Sequence, residues 1–416
     1  DLPPSPLAGE GVKSGGLGRF GSRILLLVML ALTTVFATAA LAQETPVLTI
    51  GYLDLNQDPR YDDWGIHPVD IRSSTAITDR RAWPGAQLGL NDIERLKRVA
   101  KTGFALTRET VDGAAAMTAA IARMREEGIE FFLIDAPGPV VAEVARAVGD
   151  GAVLFNTTAT DDMLRNDACQ PHLFHTAPSQ AMMMDALAQF LVSKKWHEVL
   201  VLRGPLPEDA ITVKSFERAA DLFGLDITAT RDFVPGADPR AREQNDLDFL
   251  TGRADYDVVF VADTDGEFAL TVPYGVQDPA PVVGAAGLVP RAWHWSHTRN
   301  GAPQVHGRFE RMHGRRMLES DWGAWVAMKV IGEAVARGKS TARDKVEAYL
   351  KSQKLRVVAS KGPGMNFRPW SNQLRQPIYL TTGDWVAAKA PLAGFKHRTN
   401  NLDTLGIEER ETTCKF

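Results

Sequence analysis

Two stretches of the sequence, residues 47–155 and 180–284, alternate short β-branched apolar segments with amphipathic or alanine-rich segments. The first stretch opens with a predicted strand at 47–53, and apolar residues at helical spacing predict a helix at 84–97. Regular β-α-β alternation is typical of parallel sheets covered by helices. We therefore predict an α/β chain with two doubly wound lobes. Ligands of such folds bind where loops leave the carboxyl ends of the strands.

Length and charge narrow the class of protein. The 416 residues suggest two or three domains, or one chain that runs through two lobes. A composition of 44% apolar and 24% charged residues excludes a polytopic membrane protein, a disordered chain and a collagen-like fibre. The net charge of −4 provides no basic field for a nucleic acid, so we expect no nucleic-acid partner.

The N-terminal region has the pattern of an export signal. Arg19 and Arg23 precede an apolar run at 24–37, and small residues follow up to Ala42. This order predicts a secretory signal peptide that is cleaved after Ala42. Residues 1–18 are interpreted as a spurious extension or a fragment. A transmembrane anchor is the alternative, but three threonines weaken the apolar run.

The two cysteines are far apart in the sequence. Two cysteines exclude a disulfide-dense scaffold and a four-cysteine zinc module. An exported protein meets an oxidising compartment, which favours a disulfide between Cys169 and Cys414. The bond would tether the C-terminal tail to the first lobe. Two separate buried thiols are the alternative.

Four segments together resemble the periplasmic substrate-binding proteins of ABC transporters, of the type that includes leucine/isoleucine/valine-binding protein. They are GAQLGLND at 85–92, FNTTAT at 155–160, FHTAPS at 174–179 and WHEVLVL at 196–202. The resemblance covers nearly all of 47–382.

This resemblance implies the type I periplasmic binding fold, with two lobes joined by a three-strand hinge. Lobe one would comprise 43–175 plus 290–355, lobe two 176–289 plus 356–400, and the tail 401–416. A small molecule would bind in the cleft, and hinge closure would signal occupancy to an ABC permease. The implied protein is a periplasmic monomer that captures a ligand without chemistry and needs no cofactor.

A narrower resemblance connects the chain with one subgroup. IGYLD at 50–54, DWGAW at 321–325 and the terminal Cys414 resemble binding proteins associated with pyrroloquinoline-quinone-dependent alcohol catabolism. Two departures from amino-acid binders argue against an amino-acid ligand. The loop at 135–138 lacks the usual serine, and the loop at 203–206 lacks the expected Tyr-Gly element.

The candidate ligand-binding residues come from three places. These are the loops at predicted strand ends, the crossover region between the lobes at 293–297, and the start of a predicted helix at 321–322. In the family, the loop that matches 156–158 donates hydrogen bonds from hydroxyl and backbone groups to an anionic ligand group. Trp293 and Trp295 are two residues apart and could form a stacking wall or pack in the core. The candidates are Asp54, Tyr61, Gly138, Asn156, Thr157, Thr158, Arg203, Asp263, Asp265, Trp293, Trp295, Asp321 and Trp322.

Other functions remain as alternatives. Acidic loops could bind a hard cation such as calcium or a lanthanide, for a quinoprotein dehydrogenase. Their oxygen donors are Asp54, Asn56 and Asp58 in one loop and Asp263, Asp265 and Glu267 in the other, although solvated or helix-capping turn residues are the simpler interpretation. A branched-chain amino acid is the second alternative ligand. The sequence lacks a G-x-S-x-G motif after a strand, and the part that follows the leader lacks a glycine-rich phosphate loop, so we predict that it is not an enzyme.

Overall fold

The computed structural model describes residues 46–61, 79–234 and 244–416. The predicted leader and signal peptide, residues 1–42, therefore lie outside the described residues. Within the described ranges, no helix combines the length and the apolar character needed to cross a bilayer.

The first sheet has five parallel strands in the order β2-β1-β3-β4-β5. The order changes direction at β1, so the loops after β1 and β3 meet at the carboxyl edge of the sheet. The strands are β1 (Val47–Leu55), β2 (Gly103–Val111), β3 (Phe131–Asp135), β4 (Val153–Asn156) and β5 (Leu173–His175). The helices in this stretch are α1 (Trp83–Glu94), α2 (Lys97–Ala100), α3 (Gly113–Glu126) and α4 (Gly138–Val148).

The second sheet repeats the arrangement with four parallel strands in the order β7-β6-β8-β9. The strands are β6 (Glu198–Arg203), β7 (Asp226–Asp232), β8 (Val258–Ala262) and β9 (Val282–Gly284). The helices are α5 (Gln180–Lys194), α6 (Pro207–Phe223), α7 (Leu247–Thr251) and α8 (Val272–Gly275). The two sheets confirm the predicted α/β class with two parallel-sheet lobes, which we call the first and second lobes.

A third, antiparallel sheet lies where the cores of the two lobes meet. It contains β10 (Val289–Arg291), β11 (Ile378–Thr382) and β12 (Trp385–Ala390). Successive side chains of a strand point to opposite faces. In β11, Tyr379 joins the apolar core of the first lobe, whereas Ile378 and Leu380 join that of the second. The third sheet therefore contacts both cores.

Helices from the C-terminal half complete the first lobe. They are α9 (Ala302–His313), α10 (Glu319–Gly338) and α11 (Arg343–Lys351). Most of α10 is buried, and α10 packs along α1 at very short range. A Cβ atom added at Gly85 of α1 would lie 2.0 Å from the backbone oxygen of Asp321. Glycine at this position therefore permits the two helix backbones to approach.

The C-terminal tail joins the two lobes. Cys169 and Cys414 form a disulfide, as predicted. Beside it, the backbone N–H of Thr413 donates a 2.7 Å hydrogen bond to the Asn166 side chain, which belongs to the first lobe. Further back along the tail, Glu411 pairs at 2.8 Å with Arg218 of α6 in the second lobe. The tail therefore bridges the lobes and is covalently fixed to the first.

We predict that Gly85→Ala destabilises the protein, because the new methyl group would overlap a backbone atom that cannot move independently. Overpacking of this kind costs about 1–3 kcal/mol or more of unfolding free energy. Gly307→Ala in α9 is the matched control, because its Cβ would meet only the flexible end of Arg311, at 3.4 Å. Chemical denaturation would measure both. Equal stability of the two variants would contradict this account of the α1–α10 contact.

Candidate functional site

A cleft of about 1050 Å³ lies between the lobes. The first lobe lines it with the loops after β1, β3 and β4 and with the first turn of α10. The second lobe contributes α8 and the loop after β9, and the third sheet contributes β10 and the β11–β12 turn. The cleft therefore lies at the carboxyl ends of the strands in both parallel sheets, where the strand order predicts ligand binding.

The turn after β1 places a cation and a phenol on the first-lobe wall. The guanidinium of Arg60 donates to the carboxylate of Asp58 at 2.8 Å and to the hydroxyl of Thr158 at 3.3 Å. The hydroxyl of Tyr61 donates to the backbone oxygen of Asp135 at 2.7 Å. These bonds connect the loop after β1 with the loops after β3 and β4.

Asp135 is the centre of this wall. Its carboxylate is almost completely buried at the end of β3 and accepts hydrogen bonds of 2.9 Å from three donors. The donors are the hydroxyl of Tyr52, the backbone N–H of Ala82 and the hydroxyl of Thr158. Burial raises the pKa of the Asp135 carboxyl, and the Arg60 guanidinium, 3.7 Å away, opposes that rise.

The loop after β4 is held by its own side chains. The carbonyl oxygen of the buried Asn156 side chain accepts hydrogen bonds from the backbone N–H groups of Thr158 and Ala159 at 3.3 and 2.9 Å. The hydroxyl of Thr157 donates to the backbone oxygen of Ile134 at 3.0 Å. Thr157 and Thr158 line the cleft, whereas Asn156 shapes the loop from behind.

Three tryptophans lie at the cleft, namely Trp293, Trp295 and Trp322. Trp293 and Trp322 are nearly parallel, with ring centroids 6.4 Å apart, and both are fully buried within the wall. Trp295 is only partly buried, and the guanidinium carbon of Arg316 lies 3.5 Å from its ring centroid. Trp295 and Arg316 therefore form a cation–π pair on the surface of the cleft.

A buried lysine supports this aromatic wall. The ammonium of Lys361 lies 3.7 Å from the ring centroid of Trp322 and donates to the Gln376 side chain at 2.7 Å. Burial lowers the pKa of Lys361 well below its ordinary value. No sequence pattern indicates this contact, because Lys361 lies 39 positions after Trp322.

The second lobe presents a different surface to the cleft. Its lining residues include Leu270, Pro273 and Tyr274 at α8, and Ala285 and Ala286 after β9. Tyr274 is 92% exposed, so nearly all of its surface is available to a partner in the cleft. The polar first-lobe wall thus faces a largely apolar surface.

Several candidate residues lie outside the cleft lining because they have partners within one lobe. Asp54 is fully buried and pairs with Arg108 at 2.5 Å, and Asp321 is fully buried and pairs with Arg315 at 2.6 Å. Arg203 pairs with Asp232 at 2.7 Å on the second lobe.

Gly138 and the acidic loop after β8 also lie away from the lining. A Cβ atom at Gly138 would meet the carboxylate of Asp161 at 2.2 Å, so this glycine permits close packing within the first lobe. Asp263 lines a smaller adjoining cavity of about 150 Å³, which shares Ala285 and Pro290 with the cleft, and accepts a 2.8 Å hydrogen bond from the backbone N–H of Ala269. Asp265 and Glu267 are exposed.

The alternative metal sites find no support in the described part of the chain. Within it, no group of three or more His, Cys, Asp or Glu side chains is arranged to hold a metal ion. Asp58 faces the guanidinium of Arg60, and the Asn56 side chain donates to Asp112 at 2.8 Å. These contacts give both residues partners within the first lobe, and Asp58 is buried rather than solvated.

Other lining residues were not among the sequence candidates. Arg60 follows the first strand immediately before Tyr61, so the strand-end rule could have identified it. Arg291 and Tyr274 had no such signal, because short elements that contain proline place them at the cleft. Glu319 lies in the first turn of α10.

No family model matches the chain, and no curated protein matches its sequence. Solved structures do. A periplasmic binding protein from Burkholderia mallei is 14% identical, with 88% of this chain and 98% of that chain covered and a TM-score of 0.62. A leucine-, isoleucine-, valine-, threonine- and alanine-binding protein from Brucella ovis, in a closed conformation, is 12% identical with coverages of 80% and 89% and a TM-score of 0.63.

An ABC transporter substrate-binding protein from Desulfitobacterium hafniense, solved in complex with Leu, gives a similar result. It is 14% identical, with 82% of this chain and 99% of that chain covered and a TM-score of 0.62. At sequence identities this low, the TM-scores establish a shared fold alone. The chain therefore has the two-lobed α/β fold of type I periplasmic binding proteins.

Proposed function

We propose that the protein is the ligand-binding subunit of an ABC importer and captures a small molecule by closure of its two lobes. The observation that carries this proposal is the cleft of about 1050 Å³, to which both lobes contribute. A ligand that touches both lobes favours the closed state, because it binds that state better than the open one.

The structural neighbours support binding rather than catalysis. One of them is a periplasmic binding protein, another binds leucine, isoleucine, valine, threonine and alanine, and the third is a substrate-binding protein of an ABC transporter. By this proposal the protein works in the periplasm as a monomer, delivers its ligand to a permease and needs no cofactor. Lobe one comprises 43–175 plus 290–355, lobe two comprises 176–289 plus 356–400, and 401–416 forms the tail.

The narrower proposal is a role beside pyrroloquinoline-quinone-dependent alcohol catabolism. Its support is the sequence likeness at 50–54, at 321–325 and at Cys414. Residues 321–325 belong to the first turns of α10, where Trp322 lines the cleft. The neighbour that was solved with Leu keeps an amino-acid ligand as the second candidate.

We predict saturable binding without turnover. When the purified protein is screened with alcohols, carboxylic acids, amino acids and metal ions, at least one compound should raise the melting temperature. The same compound should reduce the radius of gyration in small-angle X-ray scattering, because closure brings the lobes together. Conversion of a compound to product would contradict the proposal, as would binding with no change in scattering.

We also predict that Asp135→Asn destabilises the first-lobe wall. The amide removes the negative charge opposite Arg60 and leaves buried donors poorly paired, which costs about 1–3 kcal/mol of unfolding free energy. Asp232→Asn is the matched control, because it breaks the solvent-exposed pair with Arg203, and such pairs contribute about 0–1 kcal/mol. Denaturant titration compares the two variants. An equal or larger loss in Asp232→Asn would refute the central role of Asp135.

A further inference from the structure

We infer that the cleft selects an uncharged amphipathic molecule, with a hydroxyl or amide N–H that donates to the first-lobe wall and an apolar body that packs against the second lobe. This inference rests on the proposed function. It names the class of ligand that the same cleft takes.

The first argument is that the acidic side chains of the cleft already have partners. Among the described residues, the lining carboxylates are those of Asp135, Glu319 and Asp384. Glu319 pairs with Arg291 at 2.7 Å, and Asp384 lies 3.7 Å from Arg316. Asp135 has three hydrogen-bond donors of its own. A cationic ligand would therefore compete with groups that these carboxylates already bind.

The basic side chains of the lining are satisfied in the same way. Arg60 donates to the carboxylate of Asp58 at 2.8 Å, and Arg80 is not without a partner. The other two lining arginines face the carboxylates just described. His294 adds no charge near neutral pH, because burial and the neighbouring Arg291 lower its pKa to about 4. An anionic ligand therefore meets cations that are already engaged.

A charged group that leaves water needs an opposite charge to compensate it. In this cleft a ligand could obtain one only by breaking an existing pair, which would leave the other member of that pair uncompensated. An uncharged ligand leaves every pair intact. The arrangement therefore disfavours anions, cations and zwitterionic amino acids alike.

The second argument concerns what the first-lobe wall offers to an uncharged ligand. The hydroxyl of Thr158 donates its hydrogen to Asp135 at 2.9 Å and accepts from Arg60 at 3.3 Å. A hydroxyl oxygen has two lone pairs, so Thr158 retains one position that accepts a hydrogen bond. A ligand with a hydroxyl or an amide N–H can donate to this position.

The third argument is the apolar surface of the second lobe. Leu270, Pro273 and Tyr274 lie on or beside α8, and the 92% exposure of Tyr274 leaves an aromatic ring uncovered in the cleft. Burial of apolar surface is favourable when an apolar group of the ligand covers it. Because closure brings this surface toward the ligand, an alkyl or aryl body would stabilise the closed state.

Two matched series of compounds test the inference at neutral pH. The first is 2-phenylethanol, phenylacetate and 2-phenylethylamine, and the second is 3-methyl-1-butanol, 3-methylbutanoate and 3-methylbutylamine. Within a series only the charge and the polar group change. We expect calorimetry to give, in at least one series, a Kd for the alcohol that is at least about tenfold lower than for either charged compound. Equal or tighter binding of a charged compound in both series would overturn the inference, and so would no saturable binding of either alcohol at millimolar concentration.

Glu319→Gln tests whether the ion pairs exclude an anion. The substitution removes the charge opposite Arg291 and makes its guanidinium available to a carboxylate. We expect the ratio of the Kd of the acid to the Kd of the alcohol, in the preferred series, to fall at least about threefold. This ratio is read within one variant, so a general loss of stability does not change it.

Glu333→Gln is the matched control for that variant. It breaks the 3.0 Å pair with Arg337 on the same helix, outside the cleft lining, and should leave the ratio unchanged. An unchanged ratio in Glu319→Gln, or an equal fall in both variants, would overturn the charge argument.

A second pair of variants locates the apolar part of the bound alcohol. Tyr274→Ala should weaken binding of the preferred alcohol about fivefold or more, because an aromatic contact is lost. Phe249→Ala should leave binding unchanged, because Phe249 is 73% exposed but lies outside the cleft lining. Unchanged affinity in Tyr274→Ala would overturn the assignment of the apolar body to the second lobe.

The two proposals fail differently. If amino acids, acids or metal ions bind and reduce the radius of gyration while the alcohols do not bind, the ligand class is wrong and the binding function stands. If no compound of the wider screen changes either the melting temperature or the scattering, both proposals are wrong.

Discussion

The first-lobe wall of the cleft depends on one buried carboxylate, that of Asp135. It receives hydrogen bonds from β1 through Tyr52, from the start of α1 through Ala82 and from the loop after β4 through Thr158. A buried carboxylate is unfavourable unless such partners satisfy it. Because these elements are distant in sequence, the shared carboxylate fixes their relative positions. Arg60 lies beside this network and so receives a defined place at the cleft.

The cleft joins this ordered polar wall to a simpler apolar surface. A fixed first-lobe wall orients the head group of a ligand, whereas the second lobe adds contacts that depend on closure. Only contacts that differ between the open and closed states shift the equilibrium between them. Tyr274, uncovered on α8, is suited to that role. The C-terminal tail contacts the same two lobes, because Cys414 is bonded to the first lobe and Glu411 pairs with Arg218 of the second.

The sequence predicts the two parallel-sheet lobes well because buried parallel strands are apolar and separated by helices of regular period. The helix α5 opens the second of the two alternating stretches, and Ser179 caps it with a 3.1 Å hydrogen bond. The strands β10 and β12 and the helix α9 have no such signal, since β10 has three residues and α9 is rich in charge. The strand-end rule places Thr157 and Thr158 at the cleft, but it assigns Asp54 there as well. Only tertiary structure reveals that Arg108 neutralises Asp54 within the lobe.

Amide hydrogen exchange tests most directly whether a ligand is held between the two lobes. The protein is compared with and without a saturating concentration of a compound that binds in the screen. Our account predicts slower exchange at Thr157 and Thr158 in the first lobe and at Leu270 and Tyr274 in the second, in the same sample. Protection confined to one lobe, or located only at residues outside the cleft, would contradict it.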